Sequence, residues 1–401
     1  MDKPSISKGE LVEFRQDIEN RLRRRVLETI EDVIEEELEE ALGCGRYQRV
    51  DQRRGYRNGA EKRRVTTALG TREIRVPRAR LFDEESGGTK EFRSELLPRY
   101  ARRTREVDEA VLGAYLSGAN SRRIRKALKP LLGEAHLSKS AVSRVVGRLK
   151  QRFEEWEQRE LSEESYAIVF LDGFNLKVRL AKRVVSVPVL AALGVAEDGT
   201  KQLIALRLAV SEAAAHWSSV LEDLQRRGLR SPKLLVSDGH KGLTKALKQW
   251  PECRVQRCTN HKWSNLSEAC PSHARSELRR DYHRIIYAKD GLAAREAYDA
   301  FVAKWNKLCP AVVRSLEEAG ELLLTFYEFP RTMWKSLRTT NSLENLNREF
   351  RRRTKTQASF STEDAAVTLL FGLVASGQIQ LRRIVGYKKM PEVLESWNKA
   401  A

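Results

Sequence analysis

The strongest constraint on this chain is the stretch from residue 166 to 256, where apolar runs too short for helices follow one another closely. Residues 166–171 (YAIVFL) read as a buried strand. Residues 176–180 (LKVRL), 184–195 (VVSVPVLAALGV) and 202–210 (QLIALRLAV) are further strand candidates, rich in Val, Leu and Ile. Glu197-Asp198-Gly199 supplies a hairpin turn between the last two. Residues 212–226 then show a helical pattern, 233–236 (KLLV) a strand, 241–250 a helix and 254–256 a short strand. Three antiparallel strands followed by alternating helix and strand predict an α/β layered sheet.

The pattern changes on both sides of this sheet. From 261 to about 329 no strand-like run occurs, which predicts an all-helical insertion within the α/β domain. After Pro330 the chain returns with a helix over 339–353 and a final apolar helix over 362–376. Upstream, 17–42 reads as one helix, with Ile18, Leu22, Val26, Ile30, Ile34 and Leu38 recurring at fours and Gly43 and Gly45 as its stop. That helix suits either a dimer contact or packing on its own domain. RVTTALGTREIRVP predicts two short strands around a Gly70-Thr71 turn, and residues 82–90 a loop. Residues 104–151 predict three helices, broken at Gly118-Ala119-Asn120, with Ser121 capping the second and Ser138 the third. This resembles a helix-turn-helix unit.

Charge points to a polyanionic partner. The formal net charge is +19, and nucleic acid is the commonest partner for such a surface. The charge is segregated: residues 28–40 hold eight acids and no base, whereas 43–80 hold twelve Lys or Arg against three acids, net +9. Arg53, Arg54, Arg57, Lys62, Arg63 and Arg64 are therefore candidate contacts to a DNA backbone. Lys139, Ser140 and Arg144 would face a major groove if the helix-turn-helix reading holds. No run of eighteen apolar residues exists, so no membrane span is expected. The absence of an apolar leader in MDKPSISKGELVEF and the five scattered cysteines predict a cytoplasmic, reduced protein.

Three carboxylates carry the chemistry. Asp172 ends the first apolar run in VFLDGFN, and Asp238 ends another in LLVSDGHKG. Strands deliver such side chains to the rim of a sheet, where ligands bind. Two neighbouring carboxylates repel unless a cation lies between them. Asp-Gly is also a common turn pair, so either residue alone is weak evidence. Glu344 lies in RTTNSLENLNREFRRRTK, where Asn341, Glu344, Asn347, Arg348 and Arg351 share one helix face. Amides and guanidinium groups beside a metal-binding carboxylate suit a phosphodiester. Two metal ions, magnesium with manganese as a substitute, would then activate water or a 3′-hydroxyl and steady the leaving oxygen.

YAIVFLDGFNLKVR, LLVSDGHKGL, VQRCTNHKW and TTNSLENLNREFRRRT together resemble the signature blocks of bacterial Mutator-type insertion-sequence transposases. GYRNGAEKRRVTTALGTREIRVPRAR and SKSAVSRVVGRLK are similar to that family's N-terminal half, so the resemblance covers residues 46–376. It implies an RNase H-like catalytic domain interrupted by an all-helical insertion and preceded by helical and β-ribbon DNA-binding domains. It implies a catalytic and metal-binding triad of Asp172, Asp238 and Glu344, spaced by 66 (238 − 172) and 106 (344 − 238) residues. It also implies cleavage at terminal inverted repeats and transfer of the freed strand to target DNA, by a homodimer or larger assembly at the bacterial nucleoid. The alternative is a related metal-dependent nuclease that cuts without strand transfer. A non-catalytic DNA-binding relative is disfavoured by the intact Asp, Asp, Glu set.

The expected layout is an acidic helix over 1–45, a basic ribbon over 46–100 and a helix-turn-helix-like domain over 101–160. The first catalytic segment follows over 161–260, the insertion over 261–330 and the last catalytic segment over 331–401. Cys258 and His261 match a family block and are expected to support the site or, for His261, to meet DNA. With Cys270 and His273 they make two C-x-x-H pairs, a set that suits tetrahedral zinc although its spacing is not that of a standard finger. His240 stands two residues beyond Asp238 and is a further candidate near the phosphate. Trp305 is expected in the core, while Trp263 and Trp334 suit either packing or base stacking.

Overall fold

The computed structural model describes residues 8–67, 70–83, 86–132, 137–180, 183–209, 214–239, 250–251, 253–356 and 362–400. His240 and the helix expected over 241–250 fall almost entirely outside the described residues. The chain divides into two compact units, residues 1–115 with 119–146 and residues 116–118 with 147–401.

The first unit is a long helix laid on a β-ribbon, followed by short helices. Helix α1 (Lys8–Leu42) packs against strand β2 (Gly70–Phe82). The apolar stripe explains the contact only in its second half. Ile34, Leu38 and Leu42 are wholly buried, whereas Ile18, Leu22 and Val26 are exposed. β2 pairs antiparallel with β1 (Gly55–Thr67) and with the short β3 (Thr89–Glu91). Two of the expected details change here. The strands are each thirteen residues long, and Gly70 and Thr71 lie within the ladder opposite Thr67 and Thr66 instead of forming a turn. Val65, Ile74 and Val76 point at α1 and hold the strands in this register, while Arg64 and Arg75, next to them in sequence, are exposed on the other face. Helices α2 (Arg105–Leu116), α3 (Ser121–Leu132) and the start of α4 (Lys139–Gln158) close over Val107, Val111, Ile124, Val142 and Val145. Asn120, not Ser121, caps α3: its carboxamide accepts the Arg123 N–H at 3.0 Å. Ser138 caps α4 by accepting from Ala141 N at 3.1 Å.

The second unit is a mixed five-stranded sheet with helices, so the chain is α/β. The strands are β4 (Tyr166–Leu180), β5 (Arg183–Ala196), β6 (Lys201–Leu208), β7 (Leu234–Ser237) and β8 (Arg254–Arg257), in spatial order β6-β5-β4-β7-β8. β4, β5 and β6 are antiparallel, and β7 and β8 add in parallel to β4. The two runs expected as separate strands on either side of Asp172-Gly173 are one strand, β4, because β5 pairs with it from end to end. Helix α5 (Ala214–Arg226) buries Trp217, Val220, Leu221 and Leu224 on one face of the sheet.

Beyond β8 the chain is helical, through α6 (Thr259–Ala269), α7 (Arg275–Ile286), α8 (Gly291–Leu308) and α9 (Pro310–Ala319). These helices enclose their own core, with Phe301, Trp305, Tyr282 and Leu316 at its centre. Trp305 donates its indole N–H to Asp281 Oδ2 at 3.1 Å, which satisfies both buried groups. Trp263 stacks on Tyr282 at 5.9 Å, and Trp334 packs edge-on to Phe326 and Tyr327 and donates to Phe329 O. The helical core is tied to β8 by Gln256, whose side chain bonds Leu323 O and Phe326 N. Short α10 (Trp334–Leu337) leads into α11 (Asn341–Thr356). Apolar α12 (Glu363–Ala375) then covers β6 and β4, and α13 (Met390–Ala400) ends the chain.

Candidate active site

The site begins with strand register. β4 meets β7 only from Ile168↔Leu234 to Leu171↔Ser237, and β7 meets β8 up to Ser237↔Arg257. Asp172, Asp238 and Cys258 therefore stand in one row, one residue past the last parallel pair on three adjacent strands. Asp172 lies mid-strand in β4 yet at the carboxyl end of the parallel ladder, where side chains from several strands converge. It is 4% exposed, which no carboxylate tolerates without partners. One partner is Asn347, whose Nδ2 donates to Asp172 Oδ2 at 3.0 Å. Asn347 is itself 4% exposed, and its Oδ1 is buried with no hydrogen-bond partner. It was expected on a DNA-facing surface. The structure turns it inward because Leu343, Leu346 and Phe350 on the same side of α11 pack on the sheet, with Phe350 stacked on Phe174 at 6.0 Å.

Glu344 sits in the first turn of α11, half-buried, where the helix dipole favours a negative charge. Thr340, wholly buried, links it to the row at the sheet edge. Thr340 Oγ1 reaches Glu344 Oε1 at 3.2 Å, His261 Nδ1 at 3.4 Å and Cys258 Sγ at 3.4 Å, and Thr340 N also donates to that sulfur at 3.4 Å. Cys258 stands at the N-cap position of α6, without a side-chain cap bond, and His261 lies in its first turn, so the two share a face. Thr259 N donates to Arg338 O at 2.9 Å, fastening α6 beside the segment that leads into α11. Hydrogen bonding to Cys258 pushes the His261 imidazole up to about 9, against the opposing cost of burial, and the charges of Asp172 and Asp238 add to the rise. Asp172 and Asp238 thus lie near enough to His261 for their charges to act on it, and Glu344 is linked to it through Thr340.

Three residues that sequence reasoning did not single out, Arg257, Lys262 and Glu318, support this arrangement. Arg257 is 4% exposed and lies against Gly239, where an added Cβ would fall 1.6 Å from Arg257 Nε. Gly239 also has φ +72°, a second reason for glycine after Asp238. Glu318 Oε1 and Oε2 accept from Arg257 at 3.1 and 3.3 Å, and Lys262 Nζ donates to Glu318 Oε2 at 2.6 Å. Burial lowers the Lys262 pKa, while its bonds to Glu318 counter that. Arg257 and Lys262 fall within the VQRCTNHKW block, the signal in sequence that could have found them, whereas Glu318 has no such mark.

The remaining candidates are more dispersed. Arg348 and Arg351 are exposed on α11, and Asn341 accepts from Asn260 Nδ2 at 2.9 Å. In the first unit Arg53, Arg54 and Arg64 are exposed. Arg57 is paired with Glu35 and Glu39, Lys62 with Glu73 at 3.1 Å, and Arg63 donates to Pro98 O and Ala101 O. Lys139, Ser140 and Arg144 are exposed in the first turns of α4. Cys270 is buried in the helical core and His273 is exposed, and neither joins Cys258 and His261 in a group of possible metal ligands.

Comparison with known proteins places this geometry in a family. Residues 5–382 match the family described as Transposase, Mutator family. The chain is 32% identical over 397 residues to the transposase for insertion sequence element IS905 of Lactococcus lactis subsp. lactis (strain IL1403), covering 96% of this chain and 98% of that one. It is 34% identical over 352 residues to the transposase for ISRM5 of Rhizobium meliloti (strain 1021), covering 87% and 86%. It is 29% identical over 361 residues to the transposase for IS256 in transposon Tn4001 of Staphylococcus aureus, covering 88% and 89%. With a match that runs through both units and every block around the site, this chain belongs to the Mutator family of transposases.

Proposed function

We propose that this transposase cuts DNA at the terminal inverted repeats of an insertion sequence and joins the freed 3′ ends to target DNA. The reaction centre would be an RNase H-like core in which Asp172, Asp238 and Glu344 hold two magnesium ions, with manganese as a substitute. The observation that carries this reading is the row formed by Asp172 and Asp238 on adjacent parallel strands, with Glu344 bonded into the same cluster through Thr340. The residues fit the ion. Carboxylate oxygens are hard ligands, and the buried, unpartnered Asn347 Oδ1 beside Asp172 is an acceptor that a hydrated cation would satisfy. Bound ions would lower the pKa of an attacking water or 3′-hydroxyl and stabilise the departing oxygen.

The chain's own residues supply position and charge. Asn347 fixes the Asp172 carboxylate, and Thr340 orients Glu344. His261, cationic at neutral pH, offsets the negative charge of the site before any ion enters. Arg348 and Arg351, exposed further along α11 from Glu344, provide guanidinium groups that suit phosphate oxygens. In the first unit Arg53, Arg54, Arg64, Lys139, Ser140 and Arg144 offer the surface that would hold element ends. Joining two ends favours a homodimer, and the exposed stripe of Phe14, Ile18, Leu22 and Val26 on α1 supports a partner copy. Among the described residues no helix is long and apolar enough to cross a membrane. A cytoplasmic enzyme working at the nucleoid accords with that.

The test uses labelled element-end DNA and magnesium, mapping the cut strand and any joined product. Asp172→Ala, Asp238→Ala and Glu344→Ala are each expected to abolish cleavage while DNA binding persists, and EDTA to do the same for the unaltered protein. Normal cleavage by any of these variants, or full activity in EDTA, would sink the assignment. Cleavage without any joined product would instead favour a nuclease.

A further inference from the structure

We propose that Cys258, His261 and Glu344 form a binding site for a zinc-class divalent cation, distinct in ligand chemistry from the all-carboxylate set and sharing Glu344 with it. The ligand atoms of these three side chains all lie within 4.8 Å of one another. Zinc bonds of about 2.0–2.3 Å place neighbouring tetrahedral ligands roughly 3.5 Å apart, so modest side-chain rotation closes the site. All three ligands are already placed by the backbone. Cys258 stands at the N-cap position of α6 and His261 follows in its first turn, while Glu344 occupies the first turn of α11.

Thr340 supplies the supporting contacts that metal sites need. It is wholly buried and touches all three side chains, through its N–H to the sulfur and its hydroxyl to the sulfur, the carboxylate and the imidazole. One hydroxyl cannot serve the sulfur, the carboxylate and the imidazole equally at once, so Thr340 alone does not satisfy all three. A cation bonded to all three side chains would satisfy them together, and the thiol and imidazole would give up their protons as it binds. The sulfur selects the ion: thiolate with imidazole suits zinc, whereas magnesium takes oxygen alone. His261 and Glu344 are half-buried, which leaves the side away from Cys258 for solvent as a fourth ligand. One consequence rests on the catalytic role proposed for Glu344. Zinc at this site withdraws Glu344 from the magnesium set and slows strand cleavage.

The test is a cobalt(II) titration of the full chain without DNA, read by absorption. A sulfur-to-cobalt charge-transfer band in the near ultraviolet is expected, displaced by zinc and moved to higher cobalt concentrations by excess magnesium, which competes for Glu344. Cys258→Ser should remove the band, and His261→Asn and Glu344→Gln should each weaken cobalt binding by roughly 10- to 100-fold. Asp172→Ala should keep the band while losing cleavage, which separates this site from the magnesium reading. Circular dichroism checks folding, and if Cys258→Ser misfolds, the other two variants decide. A wild-type protein without the band, a band that survives Cys258→Ser, or unchanged affinity in Glu344→Gln would overturn the site. Cobalt binding as described with cleavage indifferent to zinc would overturn the competition alone.

Discussion

Asn347 shows how a single amide joins the two halves of the site. It lies on α11 three residues after Glu344, yet its donor reaches Asp172, which precedes it by 175 positions. Removing it leaves a buried carboxylate short of a partner without touching the carboxylates themselves. Asn347→Ala is expected to slow single-turnover cleavage of element-end DNA by roughly 10- to 100-fold and to leave DNA binding intact. An unchanged rate would show that Asp172 needs no such support. His261 gives a second residue-scale prediction. Its folded-state pKa, raised to about 9 chiefly by the bond with Cys258, exceeds the ordinary value of 6.5. The stability it contributes is therefore fully present below about pH 6.5 and is lost as pH rises through about 9. NMR of the metal-free protein should find this imidazole titrating near pH 9, and Cys258→Ala should bring it down. A midpoint at or below 6.5 would refute the pairing.

Strand β4 and the helical segment after β8 make the argument at the level of elements. Asp172-Gly173 has the composition of a turn, but continuous pairing with β5 carries β4 straight through it. The place of Asp172 is defined on the other side, where short β7 stops pairing at Leu171. The helical segment is not a loose appendage. Its core buries Trp305 to 1% exposure, and Gln256 and Arg257 bond it to the end of the sheet beside the site. Trp305→Ala is expected to cost about 3–5 kcal/mol, since it opens a large cavity and takes a donor from buried Asp281. Urea denaturation would measure this, and a cost below about 1 kcal/mol would mean that the helical core can collapse around the gap.

For the molecule as a whole, charge and core are divided between two units. The basic ribbon and the first turns of α4 belong to the first unit, and the three carboxylates belong to the second. Removing residues before about Thr104 should therefore weaken binding to element-end DNA while the five-stranded sheet keeps its thermal transition. Phosphate contacts release counterions, so the full chain should also lose affinity more steeply than the truncated one as salt rises. Gel-shift titrations at two salt concentrations, with calorimetry of both proteins, would measure these effects. Equal end affinity in the truncated protein would refute the division of labour.

Local patterning was enough to find the strands 166–171, 184–195 and 202–210, the helical run after 261 and the candidacy of Asp172, Asp238 and Glu344, because burial imposes its period on each element independently. The family blocks were legible for the same reason, as short contiguous runs. What only the tertiary structure decided is the set of relations between distant segments. Thr340 meets Cys258 across 82 positions, Asn347 turns inward to Asp172, and Arg257 settles over the one residue that lacks a Cβ to exclude it. Cys270 and His273, twelve residues beyond Cys258 and His261 in the same C-x-x-H spacing, are carried off by the length and direction of α6. Spacing along a chain specifies which face of an element a side chain occupies. Which faces meet depends on packing, and at this site packing sets the chemistry.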